Sequence, residues 1–176
     1  PVVTPSGKAF DANGVMASSI LVMTDRLRMY YSGWSTDTPF PYKIAIGAAD
    51  SLDNGQTFHK IDVNPVFPLA EDDEPYLCTM PFVTRSNDSY QMFYSSGTNW
   101  TEVDGRMEPS YDIKVATSPD GVRWSRGNRA IVALHEGEGG LARPWVFDRP
   151  AANRTMWFSS RSGRGYRESP SAAYKI

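Results

Sequence analysis

One pattern of apolar and polar positions occurs three times along the chain. Leu27-Arg28-Met29-Tyr30-Tyr31-Ser32-Gly33-Trp34 runs methionine, two aromatics, serine, then a small or polar exit. It returns as Tyr90-Gln91-Met92-Phe93-Tyr94-Ser95-Ser96-Gly97 and as Arg154-Thr155-Met156-Trp157-Phe158-Ser159-Ser160-Arg161. The anchoring methionine moves from 29 to 92 to 156, a period of 63 and then 64 residues. Paired aromatics suit the pleated, half-buried surface of a strand better than a helix. A fixed long period marks a repeat architecture.

A second set of residues keeps the period. Tyr42-Lys43-Ile44, Tyr111-Asp112-Ile113 and Tyr174-Lys175-Ile176 each follow the methionine–aromatic strand. The first two lead into Ser51-Leu52-Asp53-Asn54-Gly55 and Ser118-Pro119-Asp120-Gly121. These are hairpin turns, because Asn and Gly tolerate positive φ. Strands are predicted near 15–23, 26–33, 44–49 and 58–63, then near 77–84, 90–95, 113–117 and Trp124. A third group is predicted near 142–147 and 155–160, with another strand beginning at Tyr174. Residues 97–110 read as a long polar loop, and 131–134 as an extra strand or a connector. No helix is predicted.

Four-stranded antiparallel repeats with aromatic and glycine punctuation are blades of a β-propeller. The predicted fold is all-β: one β-propeller-like domain over 1–176, with blades at about 11–63, 74–134 and 138–176. The third blade is read as partial, and the set as incomplete, because closed propellers use four to eight blades.

Composition narrows the field without naming a function. Twenty acidic against eighteen basic residues, a net charge of -2, give no electrostatic case for nucleic acid or an anionic membrane. No apolar run approaches the roughly 20 residues that span a bilayer. Cys78 is the only cysteine, which excludes an internal disulfide and points towards a reducing compartment, with secretion left open. His59 and His135 have no ligand spacing, so neither a metal nor another cofactor is expected.

The candidate chemistry lies in the carboxylates. Asp11 precedes Ser18 by seven residues, Glu74 precedes Pro81 by seven, and Glu138 precedes Pro144 by six. Equivalent acids at the start of each blade's first strand are expected to converge on the propeller axis. Clustered carboxylates raise one another's pKa values, which allows one to act as acid and another as base. Two carboxylates flanking a bond are the minimum equipment for glycoside hydrolysis. Acids at loop-to-strand boundaries also commonly bond nearby backbone amides, and for any one of the three alone that reading is the stronger.

These residues resemble the five-bladed propeller superfamily of glycoside hydrolases, with its arabinanase, xylosidase and invertase groups. Asp11-Ala12-Asn13-Gly14 resembles the invertase-type Asp-Pro-Asn-Gly that carries the blade-one carboxylate. Ala142-Arg143-Pro144-Trp145-Val146 with Met156 to Arg161 resembles the third blade of bacterial members. The resemblance implies Asp11 as base or nucleophile, Glu74 as the orienting carboxylate and Glu138 as the acid, with the spacing of inverting enzymes. Such proteins continue through two more blades, and residues 162–176 here carry a Ser-, Gly- and Pro-containing insertion before Tyr174.

A carbohydrate ligand is the expected partner, held by Trp34, Trp100, Arg143 and Arg161. Trp34 and Trp100 are placed in loops as accessible platforms, whereas Trp157 is assigned to the core. Arg143 serves equally well as a ligand clamp or as an inter-blade ion pair. The alternative to hydrolysis is a non-catalytic sugar-binding or assembly module. An open third-blade edge would favour a homo-oligomer that covers it.

Overall fold

The computed structural model describes residues 3–7, 9–36, 39–148, 154–164 and 174–175. They form strands in three groups and, among them, no helix. The first group is β1 (Gly14–Val22), β2 (Leu27–Ser35), β3 (Lys43–Ser51) and β4 (His59–Lys60), an antiparallel meander. The second is β5 (Leu77–Ser86), β6 (Ser89–Val103), β7 (Arg106–Ser118) and β8 (Ser125–Arg126). The third contains β9 (Glu138–Phe147), β10 (Thr155–Ser162) and β11 (Tyr174–Lys175). The all-β, bladed architecture read from the repeat is the one observed. Residues 165–173 of the expected insertion, and Ile176, lie outside the described residues.

The blades meet through single parallel bridges, Ile44 to Leu77 and Tyr111 to Gly140. Glycine at 140 is required by that approach: a Cβ there would sit 2.4 Å from Cζ of Tyr111. Tyr30, Ile46, Phe67, Cys78, Met92 and Tyr94 fill the space between the first two blades. Leu77, Trp100 and Tyr111 pack with Ile44 and Ala142, joining all three blades at one end. Burying each large apolar side chain contributes about 1.5–3 kcal/mol. Val3 and Phe10 of the N-terminal segment lie over Met29, Tyr31 and Phe58 on the outer face of the first blade.

The hairpin turns are tied internally and to the next blade. Asp53 accepts from Ser51 Oγ at 2.7 Å and from the Thr57 hydroxyl at 2.6 Å. Hydrogen bonds from Thr57 and Ser51 hold its carboxyl at about 2. Asp120 accepts from the amides of Val122 and Arg123 at 2.9 and 2.8 Å. Tyr30 of β2 donates to the Gly121 carbonyl at 2.8 Å, and Arg28 to the Asp120 carbonyl at 3.2 Å. Arg28 also forks onto Asp50 with two bonds of 2.8 Å. Burial alone would raise the Asp50 carboxyl, but the hydrogen bonds from Arg28 and Arg26 outweigh it and the group lies below its ordinary value.

Two local expectations need correction. The predicted loop at 97–110 is instead the end of a long β6–β7 hairpin, paired through Val103 and Arg106. Asp104 and Gly105, with φ of 50° and 75°, make its two-residue turn, the geometry that Asp-Gly favours. The fourth strand of the first blade is only two residues long. Residues 131–134 contribute a single bridge, Val132 to Ile113.

Candidate functional site

Asp11 and Glu74 are both fully buried, and each is held by the same kind of partners within its own blade. Asp11 Oδ2 accepts from the Tyr31 hydroxyl at 3.3 Å and from Lys60 Nζ at 2.5 Å. Glu74 Oε1 accepts from the Tyr94 hydroxyl at 2.7 Å, and Oε2 from Arg126. The tyrosine follows the acid by twenty residues in both blades. The cation stands at the same register: Lys60 pairs with Ala49 opposite Met29, and Arg126 with Ala116 opposite Met92. The two blades therefore carry one repeated acid–tyrosine–cation lock, linking the start of the blade to its second and fourth strands. Burial pushes both tyrosine hydroxyls up, and the adjacent carboxylates push them further.

Among the described residues, the third blade shows no such lock. Twenty residues after Glu138 stands Phe158, which has no hydroxyl. Glu138 is half-buried and accepts instead from Ser160 Oγ at 2.7 Å and from the His135 amide at 2.9 Å. Sequence reasoning found the three equivalent acids but missed Tyr31, Tyr94, Lys60 and Arg126. The constant offset of twenty was the available signal.

Glu74 has a wider polar surround. Cys78 Sγ donates to it at 3.2 Å, and Lys114 lies 3.4 Å away while bonding Asp73 at 2.6 Å. Burial, then the carboxylate of Glu74, raise the Cys78 thiol well above its ordinary value. Asp112 stands opposite Ser96 in the β6–β7 ladder. Asp112 Oδ1 and Ser96 Oγ are buried with no hydrogen-bond partner among the described residues. Burial pushes the Asp112 carboxyl up to about 6, Lys114 opposes the rise, and Glu74 and Asp73 add to it. Sequence reading passed over Asp112 because the matching position is Lys43 in the first blade. Among the described residues, no group of three or more His, Cys, Asp or Glu side chains is arranged to hold a metal.

The first strands of the three blades, β1, β5 and β9, lie side by side and enclose a groove of about 460 Å³. Met16 to Ile20, Met80 to Phe82 and Arg143 to Trp145 line it. Each strand is bulged there by one extra residue: Ser18, one of Met80 and Pro81, and one of Arg143 and Pro144. Bulges re-aim side chains and commonly sit beside functional sites. Met80 and Arg143 take left-handed φ of 53° and 54°, a conformation costing about 1–3 kcal/mol outside glycine. None of Asp11, Glu74 and Glu138 is among the residues lining this groove.

Arg143 lines the groove, and no hydrogen bond or ion pair joins it to any described residue. The other proposed contacts lie elsewhere. Trp100 is not in an accessible loop: it is in β6, only 8% exposed, because the hairpin folds its ring against Leu77 and Tyr111. Trp34 is within β2, half-buried, its ring so close over β1 that a Cβ at Gly14 would meet it at 2.0 Å. Arg161 is buried and donates to the carbonyls of Gly139, at 3.2 Å, and Pro109, with Glu108 3.4 Å away. Trp157, assigned to the core from sequence, is 41% exposed. It meets Trp145, itself 50% exposed, edge-on at 5.5 Å, and both contact Phe147.

The bladed all-β fold is similar to that of solved glycoside hydrolases. No protein-family model matches the chain. A β-fructofuranosidase of family GH32 from Bombyx mori superimposes with a TM-score of 0.67 at 21% identity, over 84% of this chain and 30% of that enzyme. A second structure of that enzyme, a variant in complex with sucrose, gives a TM-score of 0.67 at 19% identity, over 88% and 32%. At these identities the likeness establishes the fold alone. In sequence, the chain is 34% identical over 166 residues to the uncharacterized protein Rv1502 of Mycobacterium tuberculosis, 93% of this chain and 54% of that protein. The chain thus spans about half the length of the curated relatives it matches.

Proposed function

We propose that this chain is a carbohydrate-recognising propeller unit that holds a sugar in the groove between β1, β5 and β9. The observation that carries this reading is the convergence of three kinds of group at one concave place: the exposed Trp145 ring, the Arg143 guanidinium and the Ser18 and Ser19 side chains. Sugars are bound through hydroxyls at their edges and C–H faces against aromatic rings, and this groove offers both. Its volume is within the ordinary range of small-ligand sites, roughly 300–1,000 Å³. The fold supports the assignment by analogy, and one neighbour of that fold is described in complex with sucrose. Titration with a panel of oligosaccharides, read by tryptophan fluorescence, tests it. Saturable binding that weakens at least about tenfold in Trp145→Ala is expected. No response to any member of a broad panel would remove the reading.

A second reading is hydrolysis of a glycosidic bond by paired carboxylates drawn from Asp11, Glu74 and Glu138. It is favoured by Asp112, whose carboxyl at about 6 is suited to general acid work beside Glu74. Turnover of aryl glycosides that is abolished in Asp112→Asn and Glu74→Gln would support it. The exposed Trp145–Phe147–Trp157 cluster also suits a homo-oligomeric contact, and sedimentation velocity at micromolar concentration separates that role from ligand binding.

A further inference from the structure

The groove carries a charge that the fold does not require. Its described lining contains one cation, Arg143, and no carboxylate. Arginines packed between strands elsewhere each have an acid: Arg28 has Asp50, Arg126 has Glu74 and Arg161 has Glu108. Arg143 has none among the described residues. The bulge on which it stands recurs in the second blade, where Met80 fills the corresponding position with the same left-handed φ. A methionine therefore satisfies the same backbone, and that conformation does not call for a guanidinium. Trp145, two residues on and half-exposed, lies beside it on the same groove.

From this juxtaposition we infer that the groove selects an anionic sugar, with the Arg143 guanidinium forking onto a sugar carboxylate while the ring packs on Trp145. The inference rests on the groove being the sugar site proposed above. A planar guanidinium pairs two parallel N–H donors with the two oxygens of a carboxylate, and such charge-assisted pairs are stronger than bonds to neutral hydroxyls. A uronic acid unit presents that carboxylate on the rim of a pyranose whose face is free to stack. A sulfate ester offers similar acceptors, so the common chemistry is an acidic group borne on a sugar.

The test is isothermal titration of the intact chain with three probes: tri-galacturonate, a neutral galactose trisaccharide and a sulfated disaccharide. The uronide is expected to bind at least about tenfold tighter than the neutral sugar at low salt. That preference should shrink as ionic strength rises, since the guanidinium is exposed and screened. In Arg143→Gln the preference for the uronide over the neutral sugar should disappear, the uronide losing the larger share of its affinity. Arg143→Lys should restore only part of the preference, because a point charge lacks the fork. Tightest binding of the sulfated probe, lost in Arg143→Gln, supports the anionic site with sulfate as its source. Equal affinity for neutral and acidic sugars, or a preference that survives Arg143→Gln, overturns this inference while leaving the sugar site intact. Binding of none of the three probes overturns both. The thermal midpoint of Arg143→Gln should equal that of the parent, confirming that the charge is not structural.

Discussion

Replacing Arg126 with methionine should expose how much of the second blade depends on its acid–tyrosine–cation lock. The substitution leaves Glu74 fully buried, with Tyr94 at 2.7 Å, Cys78 Sγ at 3.2 Å and Lys114 at 3.4 Å as its remaining partners. Removing one partner from a buried ion pair costs about 3–5 kcal/mol, because the surviving charge is stranded. Lys114 compensates in part and also serves Asp73, which puts the loss near the lower end, about 3 kcal/mol. Methionine keeps apolar contact with the Phe67 ring, over which the guanidinium lies at 3.8 Å. The lost bond to the Pro68 carbonyl adds about 1 kcal/mol. For a chain of this size, each kcal/mol lowers Tm by roughly 2–4 °C. Urea unfolding followed by tryptophan fluorescence measures the change. Adding Glu74→Met to the same chain removes the stranded charge, and the double variant should recover to within about 1–2 kcal/mol of the parent. A coupling energy near zero between the two sites would refute the lock as an energetic unit.

Other consequences follow from the same geometry. Tyr94→Phe should cost about 1.5–3 kcal/mol, since its hydroxyl donates to a buried carboxylate at 2.7 Å; Tyr31→Phe, whose bond to Asp11 is 3.3 Å, should cost less in the same denaturant series. Gly140→Ala should destabilise by more than about 1–3 kcal/mol, because the new methyl would meet the Tyr111 ring at 2.4 Å. The folded pKa of Asp112, about 6, lies above its ordinary 3.8, so its contribution to stability is complete below about pH 4 and is lost as pH rises through 6. Asp112→Asn should therefore stabilise the protein at pH 7. The full shift corresponds to about 3 kcal/mol, reduced to roughly 1 by solvent screening of a half-buried group. The gain should vanish near pH 4; destabilisation by the variant at pH 7 would contradict the assignment.

The repeat was legible because its signal is local: a methionine, two aromatics and a serine are strand-forming in any register. The Asp104-Gly105 turn was equally local, yet the polar residues around it masked two strands, since both outer faces of that hairpin carry polar side chains. The acids were found by spacing, but their partners were not. Lys60 and Arg126 stand on two-residue strands whose register exists only once the third strand of the blade is in place. The groove was hidden for a related reason. It is built from bulges, and one extra residue is invisible in a pattern of period two until the neighbouring strand is aligned. Met80-Pro81 and Arg143-Pro144 were the trace left in the sequence. Trp100 and Trp157 exchanged their expected places because exposure is decided by what packs across from a strand, which no residue records by itself.

A crystal structure of the chain with a bound oligosaccharide from the positive end of the titration panel tests the sugar site most directly. The expected result is a pyranose ring against Trp145, between Ser18 and Arg143, with the Asp11 and Glu74 locks undisturbed. A sugar seated at Glu74 and Asp112, with the groove between β1, β5 and β9 empty, would contradict it.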